Sequence, residues 1–273
     1  MNEELITISA AFYFNRKNYK AISERWFERA CVFFSEYGLS PVLFTADGGG
    51  FFLDDCYVLA DPGFDLTIFG EVIRARGREL VDALRNGRIK SLTLDSPRSN
   101  AEFREDWQAT VDASLIDGLC YVGVDYRFIA DPSALLRRAF RIIEGALDVR
   151  YGIAYRSASG EDPLGYAMGR PKCTFTDVLQ LIRHRPEWEH RRKTPDELWG
   201  DELMADGKHL RGYFRGACPA SLLSEAHVRR LDLPSLNIGS LSRLNRSLWL
   251  WELSESEIPI AEEVMRQKGA LIA

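Results

Sequence analysis

No apolar run in this chain approaches the roughly 20 residues that a helix needs to cross a bilayer, so no membrane-spanning helix is expected. The first residues, MNEELITISAAFYF, carry acids where a secretory leader carries positive charge, and their apolar positions alternate; no signal peptide is expected. Cysteine is sparse and scattered. Cys31, Cys56, Cys120, Cys173 and Cys218 form no close pair and no Cys-x-x-Cys, which points to reduced, mostly buried thiols and a cytoplasmic setting. Histidine is scarcer still. His184, His190, His209 and His227 include no i, i+4 pair, so no metal site is expected and the four read as surface or capping residues. Neither a Gly-Lys-Ser/Thr phosphate loop nor a Gly-x-Ser-x-Gly elbow occurs. Gly48-Gly49-Gly50 follows an expected strand, but the acids just beyond it would repel phosphate. No cofactor is expected, and no catalytic residue is readable.

What is present is material for a sizeable core, with 46% of residues hydrophobic and 11% aromatic. The 40 acids outnumber the 35 bases, a net charge of −5, which argues against a general nucleic-acid binder.

Periodicity gives the outline. Ile6, Ile8, Ala10, Phe12 and Phe14 alternate as in a half-buried strand. Ile22, Trp26, Ala30, Phe33, Phe34 and Tyr37 recur at helical spacing before Gly38, a capping glycine. A short strand is expected over 41–45, an irregular stretch over 46–65, a helix over about 66–86 and a strand over 89–94. Residues 107–115 and 119–126 read as a hairpin turning at Asp117-Gly118. Asp131-Pro132 caps a helix that ends before a strand at 149–156. In the last third, helices are expected near 174–183, 195–204 and 221–230, and a buried strand at 247–253. Ser254 and Glu257 are spaced as a capping box for a final helix, and Leu271-Ile272 reads as an edge strand.

Strand, strand, helix, strand predicts an α+β fold: an antiparallel or mixed sheet with helices packed mainly on one face. The strand–helix–strand order at the N-terminus leaves open two similar lobes, 1–156 and 157–273, or a single domain.

The most informative absence is of one charge sign. From Ala30 to Ile73 there is no Lys or Arg, while Glu36, Asp47, Asp54, Asp55, Asp61, Asp65 and Glu71 fall inside that span. Two readings stand. In one, Asp47, Phe51, Phe52, Asp54, Asp55, Asp61 and Asp65 form a patch for a basic partner, aromatics anchoring and charges steering. In the other, the phenylalanines enter the core and the acids solvate a loop. The opposite run, RHRPEWEHRRK (Arg183–Lys193), reads as a solvated connector, with a nucleic-acid contact as the alternative. Cys218 ahead of His227 reads as a small core residue in preference to a nucleophile.

Three phrases carry a resemblance. LGYAMG (Leu164–Gly169) follows the expected strand Val149–Arg156; LRGYFRGACPASLLSEAHV (Leu210–Val228) comes next, and SLWLWELSESEIPIAEEVMRQKGALI (Ser247–Ile272) closes the chain. Together they resemble the immunity protein 52 family of bacterial polymorphic toxin systems. The resemblance implies a non-enzymatic protein that binds a cognate toxin and protects the producing cell. It further implies a nuclease toxin, often delivered by type VI secretion, and no direct contact with nucleic acid or membrane. A nuclease must hold phosphates and is basic there, so an acidic inhibitor face fits it. Two other classes remain: a hydrolase that reverses toxin damage, and a nucleic-acid-associated module using Arg183–Lys193.

Overall fold

The computed structural model describes residues 6–41, 43–48, 51–54, 79–97, 107–158, 161–169 and 207–272. Among the described residues ten strands form one sheet: β1 (Thr7–Phe14), β2 (Leu43–Gly48), β3 (Phe51–Asp54), β4 (Ser91–Pro97), β5 (Trp107–Ser114), β6 (Leu119–Asp125), β7 (Val149–Ser157), β8 (Ala220–Ser224), β9 (Ser240–Arg243) and β10 (Leu248–Glu252). Their order is β3-β2-β4-β5-β6-β1-β7-β8-β10-β9. Every pairing between these strands is antiparallel, and the fold is α+β as expected. β1 lies inside the sheet between β6 and β7, and β7 pairs onward with β8. The sheet therefore continues without a break past residue 157.

Alternation sorts the side chains onto two faces. Ile8, Ala10, Phe12 and Phe14 of β1 enter one core, while Ala11 and Tyr13 enter a second core on the other side. The first core is closed by α1 (Glu24–Ser35) and α2 (Pro132–Ile143), which also touch each other, and by helical residues 79–85. α1 starts where the Ser23 hydroxyl accepts the Trp26 amide at 3.3 Å, and it buries Trp26, Ala30, Phe33 and Phe34 at helical spacing. α2 starts at Asp131, which accepts the Ser133 amide at 2.9 Å, with Pro132 in the first turn.

The second core is closed by shorter helices: α3 (Pro163–Ala167), α4 (Glu225–Leu231), α5 (Leu233–Leu236) and α6 (Ile258–Gln267). The two longest described helices thus share one face, and the C-terminal segment covers the other. Half of the box at Ser254 forms: the Glu257 carboxylate accepts the Ser254 amide at 2.8 Å and its hydroxyl at 2.6 Å, but α6 begins only at Ile258, with Glu257 at its N-cap position and no side-chain cap bond.

Several local expectations shift. The strand expected over 41–45 runs on to Gly48 and pairs with 51–54 in a hairpin, where an irregular stretch was expected from 46. ASLLS (Ala220–Ser224) is β8, not the start of a helix; it is buried at every position, so its apolar pattern has no period to read. β9 is polar and mostly exposed, and its pairing with β10 was not anticipated. Leu271 makes an isolated parallel bridge with Phe214. The helices expected at 174–183 and 195–204, and 66–78 of the one expected over 66–86, lie outside the described residues.

Candidate functional site

On β2, β4 and β5 the inward positions are apolar. Phe44, Ala46, Leu92, Leu94, Ala109, Val111 and Ala113 all join the first core. The alternate positions are Thr45 and Asp47, then Ser91, Thr93 and Asp95, then Thr110, Asp112 and Ser114. No described residue of these three strands belongs to the second core.

Register lines the polar positions up in rungs. Asp47 faces Ser91, which faces Ser114; Thr45 faces Thr93, which faces Asp112; Asp95 faces Thr110. The Thr93 hydroxyl donates to Asp112 Oδ2 at 2.6 Å. Burial pushes the Asp112 carboxyl up to about 7, the Thr93 bond pulls it down, and the negative charges of Asp95 and Asp117 raise it further. Asp95 is buried, Asp112 half-buried and Asp47 exposed. Towards the middle of the sheet the Trp107 ring lies over Gly123, where a Cβ would come within 2.4 Å of the indole. At the end of β6 the Asp125 carboxylate is buried against the Arg127 guanidinium at 2.6 Å.

Of the residues picked from sequence, Asp47, Phe51, Phe52 and Asp54 fall in β2 and β3. Asp47 stands on the rim of the polar surface. Phe51, Phe52 and Asp54 lie in the edge strand β3, opposite Gly48, Asp47 and Thr45 respectively. Asp55, Asp61 and Asp65 lie outside the described residues. Gly48 has its own explanation. Its φ is 143°, and a Cβ there would sit 2.4 Å from the Arg88 carbonyl oxygen, so glycine serves a close backbone crossing, not a phosphate. Asp95 and Asp112 were missed. Their signal was present in SLTLDSP and WQATVDAS, where acids and hydroxyls occupy the polar positions of two alternating strands.

The other half of the same face is aromatic. Tyr13, Tyr151, Tyr155, Phe214 and Trp251 are fully buried there. Each tyrosine hydroxyl has a backbone partner: Tyr13 donates to the Ala167 carbonyl at 2.7 Å, Tyr151 accepts the Arg215 amide at 3.0 Å, and Tyr155 donates to the Pro163 carbonyl. His209 and His227, expected on the surface or at caps, are instead 3% and 0% exposed. The reason is the aromatic slot: His227 stacks on Tyr151 with ring centres 4.7 Å apart and meets the edge of Phe214 at 5.2 Å. Ser224 Oγ lies 2.9 Å from its Nδ1, and burial lowers its pKa to about 3, so the ring is neutral. Cys218 is buried, in keeping with a small core residue. Among the described residues no group of His, Cys, Asp and Glu is placed to hold a metal ion; His184 and His190 lie outside them.

No family model matches this chain, and no curated protein matches it. Among solved structures it is similar to the Pseudomonas aeruginosa T6SS protein PA0821, at 11% identity and a TM-score of 0.45, over 98% of this chain and 77% of that one.

Proposed function

We propose that this chain is an immunity protein that binds and neutralises a cognate antibacterial toxin, a nuclease effector of the type VI secretion class, by occluding a basic toxin surface. The observation that carries the reading is the exposed Asp47 on the edge hairpin, at the rim of a row of more deeply set carboxylates. Asp47, Asp95 and Asp112 stand on three neighbouring strands, and the edge hairpin β2–β3 extends that region. The stretch without Lys or Arg, Ala30 to Ile73, contains that hairpin. One-sided charge of this kind focuses a field that speeds capture of a basic partner. The sequence resemblance over residues 149–272 supports the same class. On this reading the protein needs no cofactor, acts in the cytoplasm and contacts neither nucleic acid nor membrane.

The test is co-expression with the toxin captured from native lysate. Growth is rescued by the intact chain. Replacing Asp47, Asp54, Asp55 and Asp61 with Ser slows association roughly tenfold at low salt and flattens its salt dependence. Association that is unchanged across a salt series removes this surface as the contact.

A second reading rests on Asp112 alone. A carboxyl held near neutrality is suited to proton transfer, as a hydrolase reversing toxin damage requires. Asp112→Asn separates the two: an occluding protein still protects, whereas an enzyme loses protection but keeps its partner.

A further inference from the structure

At one end of the sheet the turn after β1, the residue before β4 and the β5–β6 hairpin border an open pocket of about 470 Å³, lined by Arg16, Tyr19, Lys20, Lys90, Leu115 and Ile116. We infer that this pocket is a binding site for the carboxylates of an acidic protein segment. Three of its lining residues are cations, and no carboxylate is among its described lining. No ion pair among the described residues engages Arg16, Lys20 or Lys90.

Arg16 is also held in place. Its Nη1 donates to the Ile116 carbonyl at 2.8 Å, which fixes the guanidinium and leaves its other N–H groups for a planar, bidentate acceptor. The Leu115 amide donates to the Lys90 carbonyl at 2.8 Å, tying the hairpin to the cation just ahead of β4. Of the acids beside the site, Asp117 accepts from the Ser114 hydroxyl and lies in the adjoining cavity beyond Arg16, and the Asp47 carbonyl accepts the Lys90 amide at 2.8 Å.

The rest of the described lining is apolar: Tyr19, Leu115, and Ile116 at 50% exposure. The Tyr19 hydroxyl is already engaged by the Asp148 amide. Cations gathered in one pocket beside an aliphatic wall fit a segment that alternates acidic and aliphatic side chains. A nucleic-acid strand would instead need a track of cations along its backbone, and the net charge of −5 opposes a long polyanion. This site uses different residues and the opposite charge from the acidic surface, so it stands whether or not that surface docks a toxin.

The experiment is fluorescence anisotropy of the full chain with a labelled peptide of alternating glutamate and leucine. Binding is expected to saturate and to weaken with salt. The double variant Lys20→Glu with Lys90→Glu loses roughly tenfold in affinity. Arg229→Glu with Arg266→Glu, the same charge change on exposed helix positions, stays within about twofold of the parent. Equal losses in the two double variants, tighter binding of a charge-matched single-stranded oligonucleotide, or no saturable peptide binding would each overturn the assignment. Should the Lys20/Lys90 variant unfold, amide shifts of the unaltered chain on titration with the peptide decide it. Shifts centred on Lys20, Lys90 and Ile116 support the site, and shifts centred elsewhere sink it.

Discussion

Two halves of one sheet face share a pleat and an alternation, yet they hold opposite chemistry. On β1, β7, β8 and β10 the positions are Tyr13, Tyr151, Tyr155, Leu223 and Trp251, sealed by α3 to α6. On β2, β4 and β5 they are threonine, serine and aspartate, and none joins that core. Apolar burial stabilises by about 25 cal/mol per Å², so the aromatic half anchors the fold. A hydroxyl–carboxylate surface exchanges water for protein partners at small net gain. Its exposed positions, such as Asp47, are where residues can be chosen for recognition at little cost in stability, whereas Asp95, Thr110 and Ser114 are buried.

The sharpest way to break this contrast is to remove an aromatic anchor. Trp251 is 1% exposed and its indole N–H donates to the Ile238 carbonyl at 2.9 Å. Trp251→Ala leaves a cavity and an orphaned acceptor, and is expected to cost about 3–5 kcal/mol in urea unfolding. The matched change on the polar half, Thr93→Ala, is expected to cost about 1 kcal/mol.

Next in size is acid sensitivity of the aromatic half. His227 is depressed to about 3 in the fold, against 6.5 for an ordinary imidazole. The unfolded chain therefore takes up the proton first. Stability from this group is complete above pH 6.5 and falls by about 1.4 kcal/mol per pH unit as pH drops towards 3. A pH series of urea midpoints is expected to show that slope in the parent chain and to lose it in His227→Gln.

Asp112 gives a smaller effect of opposite sign. Its carboxyl is raised from 3.8 to about 7, so the penalty is absent below pH 3.8, grows as pH rises and is complete above about 7. Asp112→Asn keeps an acceptor for Thr93 and carries no charge. It is expected to stabilise the protein at pH 8 by on the order of 1–3 kcal/mol, less than full linkage because the side chain keeps some solvent contact. At pH 4 the same variant is expected to change little. Between the two ordinary pKa values the His227 and Asp112 contributions run against each other, which flattens the parent's stability there.

What could be read in the sequence was local. Period two revealed β1 and β5 through Ile8 to Phe14 and Trp107 to Ala113, and capping chemistry placed Asp131 correctly but set the N-cap of α6 early, at Ser254 and not at Glu257. What could not be read depends on partners distant in the chain. Alternation says that Thr93, Asp95, Thr110 and Asp112 differ from their neighbours, not what lies beside them. Asp95 and Asp112 make no run of charge along the chain, and they come together with Asp47 only because β4 pairs with both β2 and β5. His227 looks like a helix-surface residue until Tyr151 and Phe214 arrive from other elements. Asp47, Phe51, Phe52 and Asp54 were visible as a composition, but their membership of a hairpin was hidden by the glycines between them.

The interior position of β1 has a consequence for how the protein is made. Ser9 touches Tyr121, 112 positions later in the chain, and β7 is synthesised later still. At about 5–20 residues per second on the ribosome, this strand is exposed for seconds before either neighbour exists. Its Ile8, Phe12, Tyr13 and Phe14, buried on both faces of the finished sheet, are meanwhile open to any sticky surface nearby. The newborn chain must be shielded by a chaperone, or be produced slowly enough to stay dilute, until the middle of the sheet can close around its own beginning.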